Sequence, residues 1–205
     1  MKRQEDHIIN SGLLADIAFL LLIFFIVITS IDTEFGITKK MSPKLKYDNI
    51  VCGRSWRNTL IININKDGVI LLNNRDFINI SEIKENVKRY LDNGSGKGKN
   101  GEFCDYCEGE KSNYSSVHPN RAIVTLQSSR GTKYGNYILA TNEILKAYDE
   151  LRNRESLKLY NQPFNQLLKK AKYNTSNLTL KNKINIVKNR FPIFFTEVEP
   201  IKLTN

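Results

Sequence analysis

The chain has 205 residues, a hydrophobic fraction of 40% and a formal net charge of +10. This length allows one ordinary domain plus a membrane anchor, and the composition excludes an intrinsically disordered chain. The positive charge alone would favour nucleic acid or an anionic membrane as a partner. Because the basic residues are spread over every segment after position 38, we interpret them as a solvated surface and expect no nucleic-acid partner.

An apolar run from residue 13 to residue 31 contains a single charged residue, Asp16. As a helix this run would be about 28 Å long, which matches a hydrocarbon core of about 30 Å. We therefore predict a transmembrane helix over residues 13–31 after a cytoplasmic N-terminus of residues 1–12. A start at Leu13 would leave Asp16 about one turn below the surface, whereas a start near Ile8 would place it about 12 Å deep.

A cleaved signal peptide is the alternative, because Lys2 and Arg3 precede the apolar run. The run is long for such a peptide, it contains Asp16, and it lacks a convincing cleavage site before Asp32, so an uncleaved anchor fits better. The positive-inside bias argues against a cytoplasmic N-terminus, since more lysines follow the run than basic residues precede it.

Asp16 is the candidate functional residue of this anchor. A carboxylate near the bilayer interior costs about 2.5 to 3.5 kcal/mol on insertion, so it is rare without a task. Apolar surroundings favour its protonated form, and a change of surroundings would let it take up and release a proton. A snorkelling aspartate is the alternative. One helical stripe joins Asp16 to small and aliphatic residues, which favours packing against other membrane helices. The stripe contains Gly12, Leu20, Ile23, Val27 and Ser30.

The anchor of ExbD/TolR proteins, particularly of Bacteroidetes-type members, resembles the string from Ile9 to Lys40, INSGLLADIAFLLLIFFIVITSIDTEFGITKK. The shared features are the ADIAFLLLIFF pattern and a polar exit that includes Asp32 and Gly36. The membrane aspartate of the family aligns with Asp16. The resemblance implies a single-pass inner-membrane protein with a cytoplasmic N-terminus, a periplasmic domain, homodimerisation and a multi-span partner of the ExbB/TolQ type.

The first residues after the anchor, 32–58, are polar and predict an extended periplasmic linker. Strands from Thr59 to Ile64 and from Val69 to Leu72 follow, joined by the turn NKDG, in which Gly68 supplies the backbone angle of a hairpin.

A helix capped by Asn79 or Ser81 is predicted to run to about Leu91. Residues 92–119 then interrupt the periodicity with NGSGKGKNGE, two cysteines and a proline, which predicts an inserted loop. The glycines of this loop follow a helix rather than a strand, so we do not interpret them as a phosphate-binding loop.

The insertion contains a CxxC motif formed by Cys104 and Cys107. This motif is at best half of a zinc site, with His118 as the only nearby third ligand, and we expect no metal. We interpret the segment as a surface loop that carries a dispensable disulfide between Cys104 and Cys107.

A strand from Ala122 to Leu126 and a helix from Tyr137 to Leu151 complete the predicted domain, residues 59–152. The order of strand, strand, helix, strand and helix is that of the ExbD/TolR periplasmic fold, and residues 121–148 resemble its second half. The predicted fold class is therefore α+β.

A C-terminal extension, residues 153–205, is expected to add a helix near Leu180 to Arg190 and a strand near Ile193 to Val198. Its ending, FPIFFTEVEPI, resembles the close of Bacteroidetes-type members.

Function follows from Asp16 and the resemblance. We do not expect an enzyme, because the two histidines, His7 and His118, cannot assemble a catalytic site. We also expect no cofactor. Protons are the expected coupling ion. The resemblance implies a proton-motive subunit that energises a TonB- or TolA-like protein for outer-membrane transport or integrity. The alternative is a membrane-anchored periplasmic adaptor that binds cell wall or envelope partners without conducting ions. A secreted enzyme is disfavoured.

Overall fold

The computed structural model describes residues 11–29, 56–174 and 176–198. The chain divides into two compact units, residues 1–40 and 41–205, each of which is described by itself. The predicted N-terminus up to residue 10, the linker between residues 32 and 55, Ser30, and the last seven residues lie outside the described residues.

Helix α1 (Ser11–Thr29) is the described element of the first unit. It begins two residues before the predicted start at Leu13, and the predicted end at residue 31 lies outside the described residues. Within the described ranges, no helix has the combination of length and apolar character needed to cross a membrane.

The second unit is a mixed α+β domain, which confirms the predicted class. Its sheet has the strand order β3-β2-β1-β4-β5, with β4 parallel to both of its neighbours and the β1–β2 and β2–β3 pairs antiparallel. The elements are β1 (Thr59–Ile64), β2 (Ile70–Leu72), β3 (Asp76–Ile78), α2 (Ile80–Leu91), β4 (Ile123–Ser128), α3 (Tyr134–Tyr160), α4 (Phe164–Tyr173), α5 (Leu178–Arg190) and β5 (Phe195–Val198).

Alternation along β1 builds the centre of the core. Leu60, Ile62 and Ile64 are buried while the residues between them are only partly covered. Ile62 stands opposite Leu126 of β4 in the parallel pair. One face of α2 and one face of α3 complete this core with six buried side chains: Ile83, Val87, Leu91, Ile144, Tyr148 and Leu151.

The domain begins earlier than predicted. A short 3-10 helix, Trp56–Asn58, precedes β1, so the last three residues of the predicted linker belong to the fold. The side-chain oxygen of Asn58 is buried in the domain and accepts a hydrogen bond of 3.0 Å from the backbone of Val117. Asn79 is the N-cap of α2, and its backbone N–H donates to the Glu82 carboxylate at 2.7 Å.

The predicted order of elements omits one strand. β3 follows β2 through a three-residue connection, Asn73 to Arg75, in which Asn73 and Asn74 have φ values of 50° and 61°. Asparagine tolerates this left-handed region, and two such residues form a turn that matches strand twist. No glycine marks this turn in the sequence, and the hairpin was not predicted.

Helix α3 crosses the predicted boundary between domain and extension at residue 152 without a break. The apolar stripe stops at Leu151, because the next inward-facing residues are Arg152 and Glu155, both of them buried. Arg152 donates to the backbone oxygen of Phe191 at 2.9 Å. The helix ends at Asn161, which adopts the left-handed conformation.

Residues beyond α3 are integral to the domain. α4, which the sequence analysis did not predict, buries Phe164 and Leu167 against Ile184 and Val187 of α5. The predicted final strand is present as β5, which pairs in parallel with β4 and forms one edge of the sheet.

Glu155 links α3 to the end of α5. Its carboxylate has no solvent exposure, and one oxygen accepts a hydrogen bond of 2.8 Å from Arg190. The other oxygen has no hydrogen-bond partner among the described residues, with the nearest cations, Arg154 and Lys158, at 3.9 Å. Glu155 therefore depends on Arg190 for close neutralisation.

Removing Arg190 should leave a buried, uncompensated carboxylate. We expect Arg190→Ala to lower the free energy of unfolding by about 3 kcal/mol. Lys188→Ala, at an exposed position of the same helix, should change it by less than about 0.5 kcal/mol. Urea unfolding followed by circular dichroism measures both variants, and equal effects would contradict the assigned role of Arg190.

Candidate functional site

Asp16 lies on α1 five residues after its first residue, about 7.5 Å along the helix axis. Helical geometry places Gly12, Leu20 and Ile23 on the same stripe as Asp16. The side chain of Val27 and all of Ser30 lie outside the described residues, so the structure places four members of the predicted stripe.

Apolar side chains surround Asp16 on every side of α1. Eleven large ones between residues 13 and 26 are at least 42% exposed in the chain: Leu13, Leu14, Ile17, Phe19, Leu20, Leu21, Leu22, Ile23, Phe24, Phe25 and Ile26. A helix that is apolar all round requires an apolar environment to cover it.

The insertion, residues 92–119, has few regular elements but a hydrogen-bonded interior. Asn93 is buried, donates to the backbone oxygens of Ser112 and Ser116 at 2.9 and 2.7 Å, and accepts from the Ser112 N–H at 2.8 Å. The hydroxyl of Ser116 donates to the backbone oxygen of Tyr90 at the end of α2. The segment is therefore a packed part of the domain rather than only a surface loop.

Cys104 and Cys107 are joined by a disulfide with a Cα–Cα distance of 5.5 Å. Cys104 is buried, and Gly94 packs directly on this bridge, since a Cβ on Gly94 would lie 2.5 Å from the Cβ of Cys107. Both sulfurs are used in the bond. Among the described residues, no cluster of three His, Cys, Asp or Glu side chains could hold a metal ion.

His118 is buried in the domain. Its Nδ1 accepts a hydrogen bond of 3.2 Å from the backbone of Asn120, and its Nε2 is buried with no partner among the described residues. Burial lowers the pKa of His118 below its usual value, although the nearby Glu102 acts in the opposite direction. The imidazole is therefore neutral near pH 7.

An ion-pair network connects the insertion to α3. Arg154 binds Asp92 with two hydrogen bonds of 2.6 and 2.7 Å and lies 3.0 Å from Glu108. The hydrogen bond from Lys158 lowers the pKa of the Glu108 carboxyl. Sequence reasoning missed this network, because Arg154 and Asp92 are 62 residues apart and only the spacing of Arg154 and Lys158 on one helix face hints at it.

Gly109 offers a test of the packed insertion. Its N–H donates to the backbone oxygen of Asp92 at 3.0 Å, and a Cβ at this position would lie 2.6 Å from that oxygen. We expect Gly109→Ala to lower the free energy of unfolding by about 1 to 3 kcal/mol. Gly135→Ala is the control, because a Cβ there meets nothing within 4 Å, and its helical position should make it neutral or stabilising. Thermal unfolding compares the two variants, and a neutral Gly109→Ala would contradict the packing.

The buried His118 predicts a pH dependence of stability. The unfolded chain binds a proton at this side chain near pH 6.5, whereas the folded chain does so only at lower pH, so the free energy of unfolding should fall as the pH decreases below about 6.5. Urea unfolding at several pH values between about 7 and 5 measures this slope, which should flatten in His118→Asn and persist in His7→Asn. An unchanged slope in His118→Asn would be the contrary result.

Comparison with known proteins identifies one family. The family model described as Biopolymer transport protein ExbD/TolR matches residues 2–152, about three quarters of the chain. The match includes Asp16 and ends inside α3, so α4, α5 and β5 lie beyond it. None of the curated proteins is similar enough to the chain to count as a match.

Proposed function

Because the chain belongs to the ExbD/TolR family of biopolymer transport proteins, we propose that it is the proton-carrying subunit of an inner-membrane motor of the ExbB–ExbD or TolQ–TolR type. The observation that carries the proposal is Asp16, the single charged residue in the apolar run from residue 13 to residue 31. In the proposed assembly this run crosses the inner membrane, with the N-terminus in the cytoplasm and the domain from residue 56 onward in the periplasm.

Asp16 exchanges a proton as its surroundings change. In an apolar position the neutral carboxylic acid is favoured, and in a polar position lined by a partner the carboxylate is favoured. A proton enters from the periplasmic side when Asp16 faces that side and leaves to the cytoplasm after the helix has moved. One elementary charge crossing 100 mV releases about 2.3 kcal/mol, which is the energy available for each step.

The partners follow from the surface of α1 and from the family. The exposed apolar faces of α1 require cover, and Gly12 beside Asp16 allows a neighbouring helix to approach closely. We propose a homodimer whose anchors are enclosed by a multi-span protein of the ExbB/TolQ type. The resulting motion passes to the periplasmic domain and from there to a TonB- or TolA-like protein.

Asp16→Asn keeps the size of the side chain and removes its titrating proton. We expect energy-dependent outer-membrane transport or integrity to be lost in a strain with this variant, while Asp16→Glu retains part of it. Asp67→Asn, at an exposed turn of the domain, is the matched control.

Two measurements complete this test. Immunoblotting must show equal amounts of each variant. Affinity purification of the native chain and of each variant should recover the same multi-span membrane protein. Normal energy-dependent activity in the Asp16→Asn strain would contradict proton carrying and favour the alternative, an anchored periplasmic adaptor that binds cell wall or envelope partners without ion conduction.

A further inference from the structure

The C-terminal part of the domain carries a concentrated positive charge that the proposed motor does not use. Between Glu155 and Glu197 the sequence contains seven lysines and Arg190 but no aspartate or glutamate. Residues 156–196 are therefore a basic segment without acidic residues of their own. The segment contains α4 and α5, two consecutive short helices beyond the family match that pack together through their own apolar cluster. This pair is called the α4–α5 hairpin.

Most of this charge is not neutralised within the domain. Lys158 and Arg190 pair with Glu108 and Glu155, which lie outside the segment. Five other lysines form no ion pair with any carboxylate among the described residues. Of these, Lys170 donates to the side-chain oxygen of Gln162, and Lys183 lies over the ring of Tyr160. These five are Lys169, Lys170, Lys181, Lys183 and Lys188.

Apolar side chains accompany two of these lysines at the end where α4 and α5 meet. Tyr173, the last residue of α4, is 92% exposed, and Leu178, the first residue of α5, is 69% exposed. A groove of about 430 Å³ lies beside them, lined by Leu167 and Leu180 together with Lys170, Lys183 and Tyr173. The surface thus combines ammonium groups with exposed apolar and aromatic side chains.

This combination fits the interface of a lipid bilayer. Lysine side chains bind headgroup phosphates while tyrosine and leucine reach the boundary of the acyl chains. Clustered lysines gain further free energy when the bilayer contains anionic lipids. A nucleic acid would match the charge but offers the exposed aliphatic side chain of Leu178 no hydrocarbon surroundings.

We propose that the α4–α5 hairpin docks on a bilayer surface that contains anionic lipids. The five lysines bind lipid phosphates, and Tyr173 and Leu178 insert among the headgroups. The proposal rests on the proposed function in one respect, since the anchor keeps the domain close to a membrane. Residues 30–55, which connect the two described parts, can extend to at most about 90 Å.

Lysine acylation footprinting of the full chain tests the proposal. The chain is mixed with nanodiscs of phosphatidylcholine alone or with about 30% phosphatidylglycerol, and mass spectrometry gives the labelling rate of each lysine. We expect labelling of the five hairpin lysines to slow about fivefold in the anionic discs and to recover near 0.5 M salt. The exposed Lys66, Lys111 and Lys133 are internal controls and should label equally in both discs.

A matched pair of variants isolates the apolar contribution. Tyr173→Ser combined with Leu178→Ser should remove most of the protection in anionic discs, because the side chains that insert are lost. Phe77→Ser combined with Tyr114→Ser removes two equally exposed aromatic side chains elsewhere in the domain and should leave the protection intact.

Three results would overturn the proposal: equal labelling of the hairpin lysines in both discs, equal slowing at the control lysines, or the same protection produced by a single-stranded oligonucleotide added to phosphatidylcholine discs. Elution of the chain with the discs is a separate readout of the anchor. If the chain stays outside the discs, the proposed membrane span fails, while the footprint in the mixture still decides whether the hairpin docks.

Discussion

Glu155 is a carboxylate without solvent exposure, and the C-terminal half of the domain depends on the arginine that neutralises it. Arg190, at the end of α5, binds Glu155 of α3. Arg152 of α3 binds the backbone oxygen of Phe191, which follows Arg190 and precedes β5. On the same helix Arg154 binds Asp92 at the start of the insertion. Glu150 pairs with Lys84 and Lys88 of α2, and these contacts lower the pKa of its carboxyl. Residues 150–155 of α3 thus contact α2, the insertion and the C-terminal segment.

Sequence reasoning succeeded where the apolar pattern was regular. The predicted strand from Thr59 to Ile64 is present as β1, the predicted helices are present as α2 and α3, and all three contribute buried residues to one core. Sequence reasoning failed where buried or turn-forming polar residues determine the structure. α3 continues past Leu151 because Arg152 and Glu155 are paired inside, and β3 depends on two asparagines in a left-handed turn. The partners of Arg152 and Glu155 are 39 and 35 residues distant in sequence, beyond any local pattern.

The candidate functional residue, unlike these structural charges, could be identified from the sequence. Asp16 was recognisable from sequence because a single charge in a long apolar run is unusual, and the family match includes it. In the domain, buried charges such as Glu155 are held by fixed partners, which suits a structural role. The surroundings of Asp16 in the proposed motor come from lipid and from partner helices, so they can change when those helices move. This difference is the reason for assigning proton transfer to Asp16.

Proton flux through the purified complex tests the central claim most directly. The chain and its multi-span partner are reconstituted in vesicles that enclose a pH-sensitive dye, and a membrane potential of about 100 mV is applied. The account predicts acidification of the vesicles with the native chain and none with Asp16→Asn, although both complexes contain the same subunits. Equal flux with Asp16→Asn, or no flux with either chain under this potential, would contradict the assignment of Asp16 as the proton carrier.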